Sequence, residues 1–488
     1  MYKVNTDAGK ALYGDNYVGI ETLVSQHLDG AGRKDCDHWH DDAGIMTHHL
    51  GFTLRMELAL QAVDASVTIP YWESTVDAAE LGSAWRDSKV FAADWFGNSG
   101  DKLGMLHTMK EGRWAKLPVM ENAWNFDYKI TNAYGQLRAP WNLNSAPFVA
   151  RDNSVVKMSY MGGDLPSCDV VKSCFDSDSL ADMNVCLNGA THGPIHVLVG
   201  GQWDVDLGEA GEKLIGPAHL LLFKDLWRRG FARCPSSLED VAALEAAGDV
   251  ACSCSADLVE AVGGAYEVLS ERSGILHWLA SSSQGRIAYD ATTERFFMPG
   301  KTKDEEEAMW KDLLTKLCSP GKVGEMYTSS APYDPLFWVL HTTSERLLQY
   351  RRLRAVSSAK FPTAMAFDET WGYTHMDADS DLGVVCDWSD VGDGDAASLM
   401  SLPTCLKATC PGHGSDDVIP FDLSAASDRL SSATTNAEFY AWLAPTNDHV
   451  PYVYDTFKYE HCEATGVLIG AEVDDDGSSP SAPPPTRA

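Results

Sequence analysis

Two histidines four residues apart are the most specific local feature of this 488-residue sequence. His192 and His196, in the segment HGPIHVLVGGQW, would project from the same face of a helix, close enough to bind one metal ion. Thr191 is a suitable N-cap for this helix, because Pro194 would then lie in the first turn, where proline is tolerated. Histidine pairs with this spacing also occur as ordinary packed or surface residues, so the pair alone only suggests a metal site.

A second group of histidines lies near the N-terminus, in the segment CDHWHDDAGIMTHH. It consists of His38, His40, His48 and His49, and His27 lies upstream of it. So many histidines in so short a segment are hard to explain by packing, because each buried imidazole needs a hydrogen-bond partner. The pattern therefore indicates a function for some of these rings.

A single histidine lies in a third segment, YDPLFWVLHTTSERLL. Asp334 followed by proline predicts the start of an apolar helix, and His341 falls two turns into that helix. A lone histidine in an apolar helix is also typical of a core residue whose hydrogen bonds are satisfied. The meaning of His341 therefore depends on which other residues it approaches.

Together the three segments offer two sets of three imidazoles. The sets are His27, His40 and His49, and His192, His196 and His341. Three imidazoles without a cysteine pair are unlike a structural zinc site, and a nonheme iron site would need a carboxylate beside two histidines. Ligation by imidazole alone suits copper, and an open position on each metal would allow dioxygen to bind between them.

The sequence resembles the tyrosinase family of type-3 copper proteins, which includes catechol oxidases and molluscan hemocyanins. Three segments carry the resemblance in the same order: LGFTLRMELALQAVDASVTIPYWES, HGPIHVLVGGQW and DPLFWVLH. The resemblance implies two copper ions, with these ligands: His27, His40 and His49 for the first, and His192, His196 and His341 for the second. It also implies that Phe337 packs over the site. Tyr452 and Tyr454 resemble the tyrosine pair near the end of the family's catalytic region.

The second ligand of the first copper has an alternative. Some members of the family join this histidine to a cysteine two residues before it, and Cys36 lies two residues before His38 rather than His40. Either His38 is the ligand, or His40 is the ligand and Cys36 is incidental. The gapless count from the helix after His49 favours His40, and the other histidine could then form a hydrogen bond near the site.

Several positions depart from the family pattern. Leu340 stands where a histidine usually precedes the ligand, and Asn184 and Gly193 replace a glutamate and an asparagine that the family links to phenol hydroxylation. An amide cannot act as a base near neutral pH, so we expect weak hydroxylation of monophenols at most. The resemblance thus implies a polyphenol oxidase that uses dioxygen to oxidise o-diphenols to o-quinones. The alternatives are a hemocyanin-like reversible oxygen carrier and a protein that has lost its copper chemistry.

The charge of the chain limits its partners. With 38 Lys and Arg against 70 Asp and Glu, the formal net charge is −32, which argues against binding to nucleic acids or anionic membranes. A small phenol and dioxygen are the expected partners, and no apolar run is long enough for a membrane span. The oligomeric state is left open by the sequence.

The cysteines bear on the compartment and on local pairing. Twelve cysteines favour secretion or another oxidising compartment, although the compartment itself is unknown from the sequence. Cys168 with Cys174, and Cys405 with Cys410, could each close a short disulfide. Reduced buried thiols are the alternative.

The elements that position these residues are predicted to be mainly α. We expect an antiparallel helical bundle around the dicopper centre, with long loops, and helices from Thr47 to Val63, from Thr191 and from Asp334. Short β-branched runs after Phe361, namely GVVCDWSDV, HVPYVYDTF and TGVLIG, predict a small, partly β appendage.

The chain is expected to divide into a catalytic domain and an insertion. Residues 1–205 and 331–460 would form the tyrosinase-like domain, and residues 206–330, which contain several helical patterns, would form a helical insertion within it. Residues 461–488 would form the C-terminal end, with a disordered tail that is acidic and rich in proline.

Overall fold

The computed structural model describes most of the chain. The described residues are 1–40, 42–98, 107–153, 163–247, 250–357, 384–391, 401–408 and 410–470. They form a mainly helical protein whose strands are two or three residues long and pair into two-stranded sheets. The expected mainly α fold class is confirmed, while the antiparallel arrangement of the bundle stays a prediction. None of the described helices has the length and apolar character that a membrane crossing requires.

The helices fall into three stretches of the chain. Before residue 206 they are α1 (Thr6–Tyr13), α2 (Ile20–Ala31), α3 (His48–Gln61), α4 (Ser74–Leu81), α5 (Cys168–Phe175), α6 (Leu180–Cys186) and α7 (Gly193–Gly200). Between residues 206 and 330 they are α8 (Gly208–Ile215), α9 (His219–Arg228), α10 (Leu238–Ala247), α11 (Ala256–Ala261), α12 (Ala265–Glu267), α13 (Ile275–Ser282) and α14 (Lys303–Leu317). The remaining helices are α15 (Leu336–Ser357), α16 (Asn436–Trp442) and α17 (Glu460–Glu463).

The helices around the site are interior elements. In α3 every residue from His48 to Leu54 is buried, and in α7 most residues are buried as well. A helix that is buried on nearly all faces has no solvent side and belongs inside the protein. Helix α15 packs against α3, which brings His341 and His49 together.

Two threonines that the sequence suggests as helix caps do not act as caps. Helix α3 begins directly after Thr47, but the Thr47 side chain does not cap it and lies 3.1 Å from Nδ1 of His48 instead. Thr191 is not an N-cap either, because α6 continues through a π-helical segment, Leu187–His192, into α7. The Thr191 hydroxyl donates to the carbonyl of Leu187 within that segment. Such π segments in longer helices frequently lie at functional sites.

The start of α15 agrees with the sequence. Oδ1 of Asp334 accepts a hydrogen bond from the backbone N–H of Leu336 at 3.0 Å. Arg151 donates to both oxygens of the same carboxylate at 2.6 Å, and both side chains are completely buried. This bidentate pair fixes the N-terminus of the helix that carries His341.

The chain enters and leaves the predicted insertion at one place. The strands are β1 (Gln202–Trp203), β2 (Ala232–Arg233), β3 (Ser253–Cys254), β4 (Ala288–Asp290), β5 (Arg295–Phe297), β6 (Lys322–Val323), β7 (Val385–Asp387) and β8 (Thr404–Leu406). They pair antiparallel as β1–β6, β2–β3, β4–β5 and β7–β8. Gln202 lies opposite Val323, so the two ends of the intervening segment are hydrogen-bonded neighbours.

Two clusters of buried apolar side chains form the interior of the described residues. The larger one is built around the site helices and contains Phe52 and Phe337. The smaller one lies mainly within residues 207–323, includes Phe223 and Trp310, and also takes in Trp141. The division of the chain into domains stays a prediction.

The appendage after Phe361 contains less β-structure than expected. One of the three runs, GVVCDWSDV, contains β7, whereas HVPYVYDTF and TGVLIG contain no strand. In the run HVPYVYDTF, the alternation corresponds to half-buried Tyr452 and Tyr454, whose hydroxyls donate to Glu345, while Val453 between them is 92% exposed. The acidic tail expected at the C-terminus falls on residues 471–488, outside the described residues.

All twelve cysteines are paired. The disulfides are Cys36–Cys410, Cys168–Cys462, Cys174–Cys186, Cys234–Cys252, Cys254–Cys318 and Cys386–Cys405. The expected local pairs Cys168–Cys174 and Cys405–Cys410 are therefore wrong, as is the alternative of reduced thiols. Cys168 and Cys174 lie at opposite ends of α5, about 9 Å apart along its axis, which is too far for a disulfide.

Candidate metal centre

The structure brings the six predicted histidines together in two groups. The first group is His27, His40 and His49, and the second is His192, His196 and His341. Within each group the nitrogen atoms available as ligands lie within 4.8 Å of one another. Residues separated by more than three hundred positions are thus neighbours at one place in the fold.

The first group is held from its outer side by hydrogen bonds. His27, on α2, donates from Nδ1 to the carbonyl of Ser329 at 2.7 Å, and His49, on α3, donates from Nδ1 to the carbonyl of Gly44 at 2.9 Å. Their Nε2 atoms face each other at 3.4 Å. His40 comes from the segment between the two helices, and its ring centroid lies 4.9 Å from that of His49.

In the second group one ring, that of His196, is held in the same way. His196 donates from Nδ1 to the carbonyl of Met326 at 2.6 Å, so its Nε2 points inward. This Nε2 lies 2.7 Å from Nε2 of His192, which in turn lies 3.2 Å from Nε2 of His341. The π-helical segment before α7 and the buried start of α15 place the rings of this group.

The two groups touch each other. The rings of His49 and His341 stack at 4.5 Å with an interplanar angle of 6°, and His192 lies 6.0 Å from His49. Phe337, which is completely buried, contacts both groups, with its ring centroid 4.1 Å from that of His341 and 5.5 Å from that of His27. Two metal ions bound here would lie next to each other, with the Phe337 ring packed beside them.

The protonation of the rings tests whether a metal ion fits. A carbonyl oxygen only accepts hydrogen bonds, so the Nδ1 atoms of His27 and His49 carry the protons and their Nε2 atoms carry lone pairs. Two lone pairs that face each other at 3.4 Å repel, and a cation between them would turn this repulsion into coordination. The donor set therefore fits a metal that accepts three imidazoles, as copper does.

Burial keeps five of the imidazoles neutral, namely those of His27, His49, His192, His196 and His341. Desolvation, with a smaller contribution from His40, lowers the pKa of His27 to about 3. Desolvation also lowers the pKa of His196 to about 4. The pKa values of His49, His192 and His341 are held well below the usual range by the same cause and by neighbouring histidines. Protons therefore do not compete with a metal for Nε2 near neutral pH.

His38 lies away from the first group. Its Nε2 contacts Oδ2 of Asp35 at 3.0 Å, and its Nδ1 contacts the carbonyl of Pro411 at 2.9 Å. Cys36, which the sequence could have placed in a bond to a histidine, forms a disulfide with Cys410 instead. Of the two alternatives, the structure places His40, not His38, beside His27.

Asp37 is a residue of the site that the sequence analysis did not single out. Its Oδ1 contacts Nδ1 of His40 at 3.0 Å and also accepts from the backbone N–H groups of Trp39 and His40. Although burial opposes ionisation, charged neighbours hold the pKa of the Asp37 carboxyl well below its usual value. An acidic residue three positions before a candidate ligand was the available signal. His27, His49 and His196 donate to backbone carbonyls, which no residue type in the sequence identifies.

A buried carboxyl lies one turn after His341. Glu345 accepts hydrogen bonds from the hydroxyls of Tyr452 and Tyr454, the latter at 3.0 Å, which accounts for the tyrosine pair seen in the sequence. Desolvation raises the pKa of Glu345 to about 7. These residues line a cavity of about 160 Å³ that also borders Glu57.

Comparison with known families agrees with this geometry. Residues 17–212 match the family described as the common central domain of tyrosinase. This part of the chain is thus similar to the central domain of tyrosinases. The matched region contains His27, His40 and His49 of the first group and His192 and His196 of the second, and His341 lies beyond its end. The family resemblance noted in the sequence is confirmed.

Several Streptomyces proteins are similar to this chain. A tyrosinase of Streptomyces antibioticus is 26% identical over 202 residues, which cover 41% of this chain and 66% of that protein. A tyrosinase of Streptomyces glaucescens is 28% identical over 167 residues, covering 33% and 54%. Grixazone synthase of Streptomyces griseus is 41% identical over 49 residues, covering 10% and 16%. The chain thus spans less than two thirds of the length of these relatives.

Proposed function

We propose that this chain is a copper-dependent oxidoreductase that uses dioxygen to oxidise o-diphenols to o-quinones. The observation that carries the proposal is the meeting of two three-histidine groups whose lone-pair nitrogens converge on adjacent points. Similarity to the central domain of tyrosinases supports the choice of copper and of phenolic substrates. Copper, when bound, supplies the transfer of electrons from the phenol to dioxygen.

The protein's own residues would hold the two copper ions and exclude water. The first group of histidines would bind one ion and the second group the other. Hydrogen bonds on the far side of the ring direct His27, His40 and His49 in the first group and His196 in the second. Phe337 packs against rings of both groups and keeps bulk water from the space between them. A dry site strengthens the electrostatic effect of the ligands on the reacting atoms.

The preference for diphenols follows from two replaced residues. Asn184, on α6, and Gly193, at the start of α7, stand where the family resemblance would place a base and its hydrogen-bond partner for monophenols. An amide does not take up a proton near neutral pH. A catechol loses its protons more readily than a simple phenol and has less need of a base.

The proposal is tested with copper-loaded protein. We expect dioxygen consumption with catechol, accompanied by the absorbance of the o-quinone, and much slower turnover of the corresponding monophenol. Metal-free protein and the His341→Asn variant serve as controls and are expected to be inactive. Reversible dioxygen binding without quinone would identify an oxygen carrier instead, and failure to bind copper would reject both functions.

We also propose that the chain works in an oxidising compartment. All twelve cysteines are disulfide-bonded, and three of the disulfides join residues more than sixty positions apart. Structural disulfides of this kind form and persist mainly outside the reducing cytosol. Thiol labelling of the protein purified from its natural source is expected to find no free cysteine after denaturation, and labelling of several thiols would contradict this.

A further inference from the structure

We propose that Lys224 and Arg228, on helix α9 of the insertion, are positioning residues for His40. They hold the Asp37 carboxylate in the place from which it directs the His40 ring. The inference rests on the proposed copper function, because the orientation of His40 matters here through its role as a ligand. It gives residues 206–330 a role at the site that the family match does not assign.

His40 needs this support more than the other histidines. His27 and His49 lie on helices and have completely buried side chains, whereas His40 lies in a connecting segment and its side chain is 21% exposed. The amide of Asn188 donates to the His40 carbonyl at 2.9 Å, which anchors the backbone but leaves the ring free to turn. The ring is directed by the contact of its Nδ1 with Asp37.

The two oxygens of Asp37 have different partners. Oδ1 serves the connecting segment, since it contacts the His40 ring and two backbone N–H groups. Oδ2 faces the insertion, with Nζ of Lys224 at 3.5 Å and Nη2 of Arg228 at 3.7 Å. The Asp37 side chain is only 1% exposed, so water does little to stabilise its charge. A buried carboxylate that loses its cations is strongly destabilised, so the Asp37 side chain is expected to move when both cations are removed.

Helix α9 is itself attached to the segment that carries Asp37. Arg228 also donates from Nε to the carbonyl of Arg33 at 3.4 Å, and the ammonium group of Lys34 lies over the Trp227 ring at 5.7 Å. The cations therefore approach Asp37 on a rigid element rather than on a mobile loop. Partners that orient a metal-bound histidine typically change metal affinity about 10–100-fold when they are removed.

The same helix offers a matched control. Arg229 is next to Arg228 and equally buried, at 8% exposure, but it pairs with Asp225 at 2.8 Å and donates to the carbonyl of Arg272 within the insertion. Loss of Arg229 removes a buried arginine and an ion pair from α9 without touching Asp37. It therefore reports general damage to the helix.

The experiment measures copper affinity by competition with a chelator, using the full chain. The variants are Lys224→Gln, Arg228→Gln, the two together, Lys224→Arg and Arg229→Gln. We expect the double variant to bind one of two copper ions about 10-fold more weakly and the other as the wild type does, with smaller effects of the single changes. Lys224→Arg and Arg229→Gln are expected to retain both affinities.

Each outcome bears on the inference separately from the proposed function. Wild-type protein that binds no copper overturns both. Two copper ions bound equally well by wild type and double variant overturn the inference alone, as does an equal loss in Arg229→Gln. If urea unfolding shows that the double variant does not fold, Lys224→Gln decides, because Lys224 is the more exposed of the two cations.

Discussion

The two adjacent histidines at the start of α3 have different surroundings. His49 donates from Nδ1 to Gly44 and directs Nε2 at His27, whereas the adjacent His48 belongs to neither group and packs against His413. Replacing His49 by asparagine is expected to remove one of the two copper ions. His48→Asn, the matched control, is expected to retain both. Metal analysis after dialysis checks this, and equal losses from the two variants would contradict the assignment.

Glu345 makes stability depend on pH. Burial raises its pKa to about 7 from an ordinary value of 4.5, so the fold prefers the protonated carboxyl. The stability that this group contributes is complete below pH 4.5 and is lost as the pH rises through 7, a change of about 3 kcal/mol. We expect Glu345→Gln, which mimics the protonated form, to remove this dependence.

Urea unfolding of metal-free protein at about pH 5 and pH 8 measures the effect. Wild type and Glu345→Gln are expected to be equally stable at the lower pH, and the variant is expected to be more stable at the higher one. Glu80→Gln, at an exposed position, controls for the loss of a carboxylate. A wild type and a variant that lose stability in parallel would show that Glu345 is not responsible.

The sequence identifies the rings of the site but not what holds them. Histidine is chemically specific, and six histidines that lie in or shortly before three family-like segments were enough to predict both groups. The acceptors for His27, His49 and His196 are backbone carbonyls, which every residue carries, so only the fold selects them. Asp37 was visible as an acidic neighbour of His40, but its meaning depends on cations that lie almost two hundred residues away.

At the scale of elements, one buried ion pair fixes the helix that carries Phe337 and His341. Arg151 forms two hydrogen bonds to Asp334, which also caps α15. Arg151→Met would leave this carboxylate buried without its cation, and we expect a loss of about 3–5 kcal/mol in the free energy of unfolding. Lys213→Met, which breaks an exposed pair with Glu209, is expected to cost less than about 1 kcal/mol. Denaturant titration of both variants tests the difference, and similar losses would argue against a special role for the buried pair.

Helix starts were predicted well only where a local rule decides them. Asp334 caps α15 as expected, because its side chain and the following proline act within one turn. Thr191 has equally suitable chemistry but lies inside a helical run from Leu180 to Gly200. That run contains the π-helical segment Leu187–His192, which packs against α15. Such a contact between distant parts of the chain cannot be predicted from the residue types in the segment.

At the scale of the whole molecule, disulfides join parts that are distant in sequence. Cys168–Cys462 spans 294 residues, while Cys234–Cys252 spans 18 within the insertion. By the entropy of the unfolded loop, the longer link stabilises by about 6 kcal/mol and the shorter by about 3 kcal/mol. Replacing the first pair with serines is therefore expected to lower the melting temperature more than replacing the second. Calorimetry of the two double variants checks the order, and the reverse order would refute it.

The long disulfides also show why the pairing was not predictable. Sequence proximity suggested Cys168–Cys174 and Cys405–Cys410, but helical geometry separates the first two residues, and Cys405 pairs across β7 and β8 with Cys386. Cys410 is then available to Cys36, which ties the segment before His40 to the C-terminal part of the chain. Which cysteines pair is decided by the tertiary fold, so the disulfides can be assigned only once the fold is known.

The pairing of β1 with β6 has a practical consequence for protein engineering. Trp203 and Lys322 face each other, so a tight two-residue turn could join them and delete the whole intervening stretch without moving the flanking backbone. In such a shortened protein Trp141 would become exposed to solvent, and Asp37 would lose its contacts with Lys224 and Arg228. By its connectivity the predicted insertion can therefore be removed, but its Lys224 and Arg228 supply the positive charges next to Asp37. A shortened enzyme would need two other cationic side chains at these places.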